Sequence, residues 1–215
     1  MAKLLAVGIL VISMLHGGPS ASGQMMCSVA PPTSKQQPGS NLSTATLPFP
    51  GGSVLLRLVT DRLSLMTDVA KTKWNSGSEI EDPIREQQLL SDVGVKAQTV
   101  GVPTEWAQHF FRFQIEAAKQ VQYCLFAQWT FQHQGSFSEV QDLRTGIRPK
   151  LDQLTAEILQ ELAKQWPELS NSGPSRGNKF IQEQSPSEIA VRLAVLPLVD
   201  GSILSSDHRL AVKSK

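Results

Sequence analysis

The chain has 215 residues, of which 40% are apolar and 18% charged, a composition typical of a globular protein of one or two domains. Its formal net charge is +1, with 20 Lys and Arg residues against 19 Asp and Glu residues. Nucleic-acid binding depends on an excess of phosphate-neutralising cations, so this balance argues against a nucleic-acid partner. Any positively charged site must be a local cluster.

The N-terminus has the layout of a secretory signal peptide. Lys3 precedes an apolar run from Leu4 to Leu15, and glycine, proline and other small residues follow it. The run is shorter than the about 20 residues that a membrane-spanning helix needs. We therefore expect cleavage near Gly23, removal of residues 1–23, and an exported protein, periplasmic or secreted, without a membrane anchor. Loss of Lys3 leaves 19 basic residues against 19 acidic ones.

Residues 24–52 are rich in Ser, Pro, Gly and Gln and are expected to form a flexible linker. The mature chain keeps two cysteines, Cys27 and Cys124. Export would permit a disulfide between them. Because Cys124 lies in an apolar helical run, a buried thiol is the favoured expectation.

From Val54 onward, apolar residues recur every three or four positions, which predicts helices. Asp82 and Pro83 form a strong start signal, with Asp as the N-cap and Pro at the first helical position. The predicted helices cover residues 54–74, 83–100, 104–134, 149–166 and 187–196. No segment is typical of a strand. We expect an all-α fold, a bundle of about four main helices in residues 53–167, followed by an accessory segment of unclear role in residues 168–215.

Two cations of the first helix lie on one face. Arg62 and Lys73 are eleven residues apart, which is three turns plus about 20°. Val69 shares that face, so the face is not simply solvated. The two side chains could converge on an anion between them, or they could extend their charged ends past an apolar core to water.

Other polar residues leave similar alternatives. An N-cap explains Asp82 without any ligand, and Glu86 suits the first turn of its helix, but Arg85 is a misfit there. Gln114, Ala118 and Gln122 form a stripe on the third helix that leaves room either for a ligand or for a close neighbouring helix.

Arg148 precedes Pro149 at the start of the fourth predicted helix. There its cation and the free N–H groups of the helix would reinforce each other as an anion site. Arg144, one turn earlier, is expected to face solvent.

Four sequence blocks together resemble the secreted (gamma) subgroup of the all-α chorismate mutases. In chain order they are R-L-x-L-M-x-D-V-A-x-x-K-W from Arg62, I-E-D-P-x-R-E from Ile80, Q-I-E-A-A-K-Q-V-Q from Gln114, and I-R-P-K-L-D from Ile147. The resemblance covers about residues 53–166. It implies the rearrangement of chorismate to prephenate, with no cofactor or metal, in a pocket within one protomer of a homodimer.

The resemblance also implies a set of substrate-binding residues: Arg62, Lys73, Asp82, Arg85, Glu86, Gln122 and Arg148. Among them, Lys73 and Gln122 are the implied catalytic donors to the ether oxygen. Arg62 and Arg148 are implied to hold the carboxylates. The chain departs from some members of the subgroup at Ala118, where they carry Thr or Ser, and at Leu89, where one branch carries a polar residue.

Two other functions remain open at the level of the sequence. The bundle could act by binding another protein, or the same cationic pocket could serve an isochorismate pyruvate-lyase. The absence of an evident nucleophilic triad or metal cluster in the sequence agrees with a pericyclic reaction.

Overall fold

The computed structural model of the chain describes residues 52–171 and 186–200. The predicted signal peptide at residues 1–23, the predicted linker as far as residue 51, and residues 172–185 and 201–215 lie outside the described residues.

The described residues form six α-helices and one π-helical turn, and they contain no strand. The α-helices are α1 (Gly52–Ser64), α2 (Met66–Ser76), α3 (Pro83–Val100), α4 (Thr104–Phe131), α5 (Arg148–Asn171) and α6 (Pro186–Asp200). The turn over Leu143–Ile147, called the π-turn below, leads directly into α5. The prediction of an all-α bundle is confirmed.

Helix α4 is the central element of the bundle, because it packs against α1, α2, α3 and α6. Helix α5 packs against α1, α3 and the π-turn. The largest fully buried side chains come from these helices and include Phe110, Phe111, Leu55, Leu63 and Ile158. None of the helices described is both long and apolar enough to cross a bilayer.

The single helix predicted from Val54 to Trp74 is interrupted at Leu65. The hydroxyl of Ser64 donates to the carbonyl oxygen of Asp61 at 2.7 Å, and this is the carbonyl that the N–H of Leu65 would use in an unbroken helix. Leu65 keeps a right-handed helical backbone, so the chain continues in nearly the same direction. Arg62 and Lys73 therefore belong to two consecutive helices rather than to one.

The start and end of α3 follow the predicted signals. The Oδ1 atom of Asp82 accepts a hydrogen bond from the N–H of Arg85 at 3.1 Å, and Pro83 occupies the first helical position. Gly101 ends the helix with a φ of 79°, a left-handed conformation that glycine adopts without strain. Because α3 begins at Asp82, Arg85 and Glu86 lie in its first turn.

The predicted end of the fourth helix at Trp166 is wrong, because α5 continues through Pro167 to Asn171. A proline inside a helix removes one backbone hydrogen bond. The next turn nevertheless carries Leu169, which is buried in the core. Burial of a leucine side chain contributes about 1.5–3 kcal/mol, enough to offset much of that loss.

The C-terminal segment contributes a full helix to the bundle. Helix α6 is longer than the predicted span of residues 187–196 and packs mainly against α4. Its buried side chains are Ala190, Val191, Ala194, Val195 and Leu198. Gln114 of α4 donates through Nε2 to the carbonyl oxygen of Ala194 at 2.7 Å, which fixes the two helices against each other.

The expectation of a free thiol at Cys124 is wrong. Cys124 is half-buried on α4 and is disulfide-bonded. The chain contains only two cysteines, and the other one, Cys27, lies outside the described residues.

Candidate active site

All seven predicted substrate-binding side chains line one cavity of about 130 Å³. A protein cavity of about 150 Å³ is known to hold a benzene ring, so this space suits a ligand built on one six-membered ring. The walls come from α1, α2, the loop before α3, α3, α4, the π-turn and α5. Arg62, Lys73, Asp82, Arg85, Glu86, Gln122 and Arg148 are thus brought together from separate parts of the chain.

The charges that line the cavity leave an excess of two positive charges. Five cations and three carboxylates contribute to its wall. The cations are Arg62, Lys73, Arg85, Lys119 and Arg148, and the carboxylates are Asp82, Glu86 and Asp152. An isolated excess of charge in a half-enclosed space favours a ligand of the opposite sign and similar magnitude. The cavity is therefore suited to a small dianion.

Arg62 is a buried cation whose hydrogen-bonding capacity is largely unused. Its residue is 4% exposed, and its Nε and Nη1 atoms find no hydrogen-bond partner among the described residues. Burial lowers the pKa of Arg62 to about 10, while Asp152 acts in the opposite direction and Arg85 adds to the lowering. Its Cζ atom lies 5.9 Å from the ring centroid of Phe111. A desolvated guanidinium with free donors is prepared to bind an anion.

Lys73 lies opposite two carboxylates and retains free donors. Its ammonium donates to the carbonyl oxygen of Ile80, which leaves two of its three N–H groups for a ligand. Burial lowers the pKa of Lys73, Asp82 and Glu86 oppose that effect, and Arg148 adds to it. The sequence left two alternatives for Lys73, an anion site or extension past the core to water. In the structure its side chain lines the cavity.

Gln122 presents an amide to the same cavity. The residue is 4% exposed, and its Nε2 atom donates to the carbonyl oxygen of Ala118 at 3.1 Å. The same nitrogen lies 3.9 Å from the sulfur of Met66. Its Oε1 atom finds no partner within the described part of the chain. A neutral amide keeps its donor at any pH, in contrast to a carboxyl group.

The first turn of α3 forms the polar wall. The Oε1 atom of Glu86 accepts from the N–H of Asp82 at 3.4 Å, and Asp82 in turn caps the helix. Arg85 forms an ion pair with Asp152 of α5, with Nη2 and Oδ1 at 3.1 Å. Lys119 of α4 lies with its Nζ 3.6 Å from the Oε2 atom of Glu86. Asp82 therefore both caps α3 and lines the cavity.

Arg148 lines the cavity and is the first residue of α5, so the predicted helix start is confirmed. The N–H of Arg148 donates to the carbonyl oxygen of Leu143, because the π-turn runs directly into α5. The backbone N–H of Arg148 is therefore not free to reinforce its side chain as an anion site. Arg144 is exposed, as expected.

Sequence reasoning missed three polar residues of the cavity wall: Lys119, Asp152 and Thr155. The spacing of Arg148, Asp152 and Thr155 would have placed them on one face of a helix, since residues four and three apart are neighbours there. The hydroxyl of Thr155 donates to the carbonyl oxygen of Leu151 at 2.7 Å. No comparable signal distinguished Lys119 from a solvated lysine.

The residues at which the chain departs from the resembled subgroup also line the cavity. Ala118 and Leu89 both contribute apolar wall. Gln114, the first member of the predicted stripe, does not line it and contacts α6 instead. Among the described residues, no group of three His, Cys, Asp or Glu side chains is placed to hold a metal ion.

The chain is similar to proteins of known family and structure. Residues 53–123 match the family described as chorismate mutase type II. The chain is similar to the crystal structure of a chorismate mutase from Burkholderia thailandensis, with 33% identity, a TM-score of 0.56, and coverage of 67% of this chain and 96% of that one. For a chorismate mutase from Burkholderia phymatum the corresponding values are 29%, 0.60, 67% and 93%.

Fold and site thus define a helical bundle of the chorismate mutase type. The chain belongs to the chorismate mutase type II family. It is also 35% identical over 115 residues to a secreted chorismate mutase of Mycolicibacterium smegmatis, a match that covers 54% of this chain. The chain spans less than two thirds of the curated relatives that it matches, 63% in this case.

Proposed function

We propose that the protein is a chorismate mutase, an isomerase that rearranges chorismate to prephenate. Chorismate is a dianion with one six-membered ring and an enolpyruvyl ether. In the rearrangement one C–O bond breaks while one C–C bond forms within the same molecule, by a cyclic shift of electron pairs. The reaction requires no nucleophile, proton transfer or cofactor, so the task of the protein is to hold one conformer and to stabilise developing charge.

The observation that carries the proposal is the cavity with an excess of two positive charges around unused donors. Arg62 and Arg148 approach it from α1 and α5, so they can hold the two carboxylates of one folded substrate. Holding the reacting atoms in one conformer lowers the activation barrier, because the entropic cost of reaching that conformer is met when the substrate binds. Asp82, Arg85 and Glu86 form the wall that meets the ring hydroxyl.

Lys73 and Gln122 supply the electrostatic part of the mechanism. Negative charge develops on the ether oxygen as the C–O bond breaks, and preformed donors aimed at that oxygen stabilise the transition state more than the ground state. Lys73 has two free N–H groups, and Gln122 has one N–H group whose partner is the weakly accepting sulfur of Met66 at 3.9 Å. Loss of one such donor typically costs about 3–4 kcal/mol of barrier.

Export and self-association are part of the proposal. The apolar run from Leu4 to Leu15 and the name of the similar mycobacterial protein, a secreted chorismate mutase, support export. N-terminal sequencing of the mature protein tests cleavage near Gly23. The resemblance supports a homodimer, and light scattering of the purified protein tests it.

The experiment that tests the activity mixes the purified protein with chorismate and identifies the product by chromatography. Prephenate is the expected product, and Lys73→Ala nearly abolishes its formation while the circular dichroism of the helices is retained. Lys71→Ala is the matched control, because Lys71 lies two residues away on α2, outside the cavity wall, and faces the ring of Phe137. A different product, or no consumption of chorismate, overturns the proposal.

A further inference from the structure

Lys119 lines the cavity but belongs to neither the predicted donors nor the predicted carboxylate-binding residues. Its side chain is 13% exposed, an unusually low value for a lysine. Its Nζ atom lies 2.8 Å from Glu116 on the same helix and 3.6 Å from Glu86 on α3. The contact with Glu86 joins α4 to the first turn of α3.

The contact with Glu116 alone does not explain this placement. A pair three residues apart on a helix surface stabilises a helix only slightly and can form with the lysine in water. Lys164 and Glu161 make such a pair on α5, with the lysine side chain 69% exposed. Lys119 instead has its side chain held between two helices, with its ammonium facing a cavity carboxylate.

Each of the two carboxylate oxygens of Glu86 has its own partner. Oε1 accepts from the N–H of Asp82 at 3.4 Å, and Oε2 faces Nζ of Lys119 at 3.6 Å. Asp82 carries a second carboxylate in the same turn of α3, and like charges in one turn repel each other. The cation of Lys119 near Oε2 of Glu86 offsets that repulsion and limits the rotation of the Glu86 side chain.

Lys119 also contributes to the net positive charge of the cavity wall. With it, the wall has five cations and three carboxylates, and without it the excess of positive charge falls from two to one. The hydrogen bond to Glu116 raises the pKa of Lys119, burial opposes this, and Glu86 adds to the raising. Lys119 is therefore charged at neutral pH.

We propose that Lys119 is a positioning residue of the active site, which holds the Glu86 carboxylate in place for a ligand hydroxyl and completes the positive charge that a dianion requires. The inference rests on the proposed function. It assigns a role to Lys119 that acts through Glu86 and through the charge of the cavity.

The test is a double-substitution cycle measured as steady-state kinetics with chorismate. Lys119→Met is expected to raise KM about tenfold, the scale of losing one partly buried charge pair, and to change kcat much less. Lys119→Arg restores KM to within about threefold, because a guanidinium keeps the charge. In a Glu86→Gln background, Lys119→Met costs less than in the wild type, because most of its effect passes through Glu86.

Lys164→Met is the matched control, since it removes a lysine with the same kind of intrahelical pair away from the cavity. It is expected to leave KM and kcat unchanged. An unchanged KM in Lys119→Met overturns the inference, and so do fully additive losses in the double variant, because they would mean that Lys119 does not act through Glu86. An inactive wild-type protein would instead overturn the proposed function, so the two failures are distinct. Thermal unfolding of each variant separates a loss of fold from a loss of positioning.

Discussion

Arg85 and Asp152 form an ion pair across the cavity wall, with Nη2 of the arginine 3.1 Å from Oδ1 of the aspartate. The pair joins the first turn of α3 to the beginning of α5. Asp152 also opposes the lowering of the pKa of buried Arg62. One carboxylate that the sequence did not single out therefore serves two of the predicted substrate-binding arginines.

The substitution Asp152→Asn removes the negative charge and keeps a side chain of nearly the same shape. The amide oxygen of Asn still accepts a hydrogen bond from Arg85, but the excess positive charge of the cavity rises from two to three. We expect KM for the dianion to fall about two- to threefold at low ionic strength, and the difference to shrink in high salt, because salt screens partly exposed charges. Steady-state kinetics at two salt concentrations measure this effect.

Asp61→Asn is the control for that experiment. Asp61 pairs with Arg57 at the same 3.1 Å distance, and neither residue lines the cavity. Its kinetics should match the wild type at both salt concentrations. A rise of KM in Asp152→Asn would contradict the prediction, since it would mean that a fixed Arg85 matters more than the added charge.

Arg62→Met is expected to stabilise the protein and to inactivate it. The guanidinium of Arg62 is buried with two unsatisfied nitrogens, and because burial of a charge without partners is costly, an apolar side chain of similar volume should be more stable at this position. Urea unfolding without substrate should show an increased free energy of unfolding, while kcat/KM falls by several orders of magnitude. Arg57→Met, at an exposed position on the same helix, should change neither quantity much. A destabilised Arg62→Met would show that the cation contributes to the fold.

The pH at which activity declines on the alkaline side should reflect the pKa of Lys73. Burial lowers the pKa of Lys73 from its usual value of 10.5, so its charged form is lost at a lower pH than in a free lysine. In the proposed mechanism the protonated form donates to the ether oxygen, and therefore kcat/KM should decline on the alkaline side below that value. A bound dianion favours the protonated form, so the decline in kcat should come at higher pH than the decline in kcat/KM. In Lys73→Arg the alkaline decline should move upward in whatever activity remains.

Gln122→Glu should make activity depend on acid. An amide donates at any pH, whereas a carboxyl donates only when protonated. The site is buried, which raises the pKa of an introduced carboxyl group and places its titration toward neutral pH. We expect the activity of the variant to approach that of the wild type at low pH and to fall as pH rises. Gln120→Glu, at an exposed position two residues earlier, should keep the wild-type profile. A flat profile in Gln122→Glu would exclude Gln122 as the donor to the ether oxygen.

Local chemistry explains which parts of this fold the sequence could predict. Asp82, Pro83 and Gly101 act through their own turns of the backbone, so they place both ends of α3 without knowledge of the tertiary structure. The break at Leu65 coincides with a hydrogen bond from the hydroxyl of Ser64 to one carbonyl group, a contact that helical periodicity does not encode.

The packing of the C-terminal segment, in contrast, depends on a distant part of the chain. Helix α6 carries apolar residues around much of its circumference, and this pattern by itself does not reveal a partner. Its partner is α4, more than fifty residues earlier in the chain, where Gln114 reaches the backbone of Ala194. Such a contact exists only in the folded bundle.

The seven site residues were predicted from four sequence blocks, whereas Lys119 and Asp152 were not. The spacing of Asp152 from Arg148 places both on one helix face, but a charged residue on a helix is usually solvated, so spacing alone assigns it no role until the facing helix is known. Both residues act on other side chains, Glu86 and Arg85, and not through a distinctive chemistry of their own.

The order of the site residues along the chain has a consequence for how the protein matures. The segment that matches the family ends at residue 123, while Arg148 and Asp152 come from α5, beyond that segment. The cavity wall is therefore incomplete until α5, the last of its helices along the chain, has been synthesised and has packed against α1 and α3.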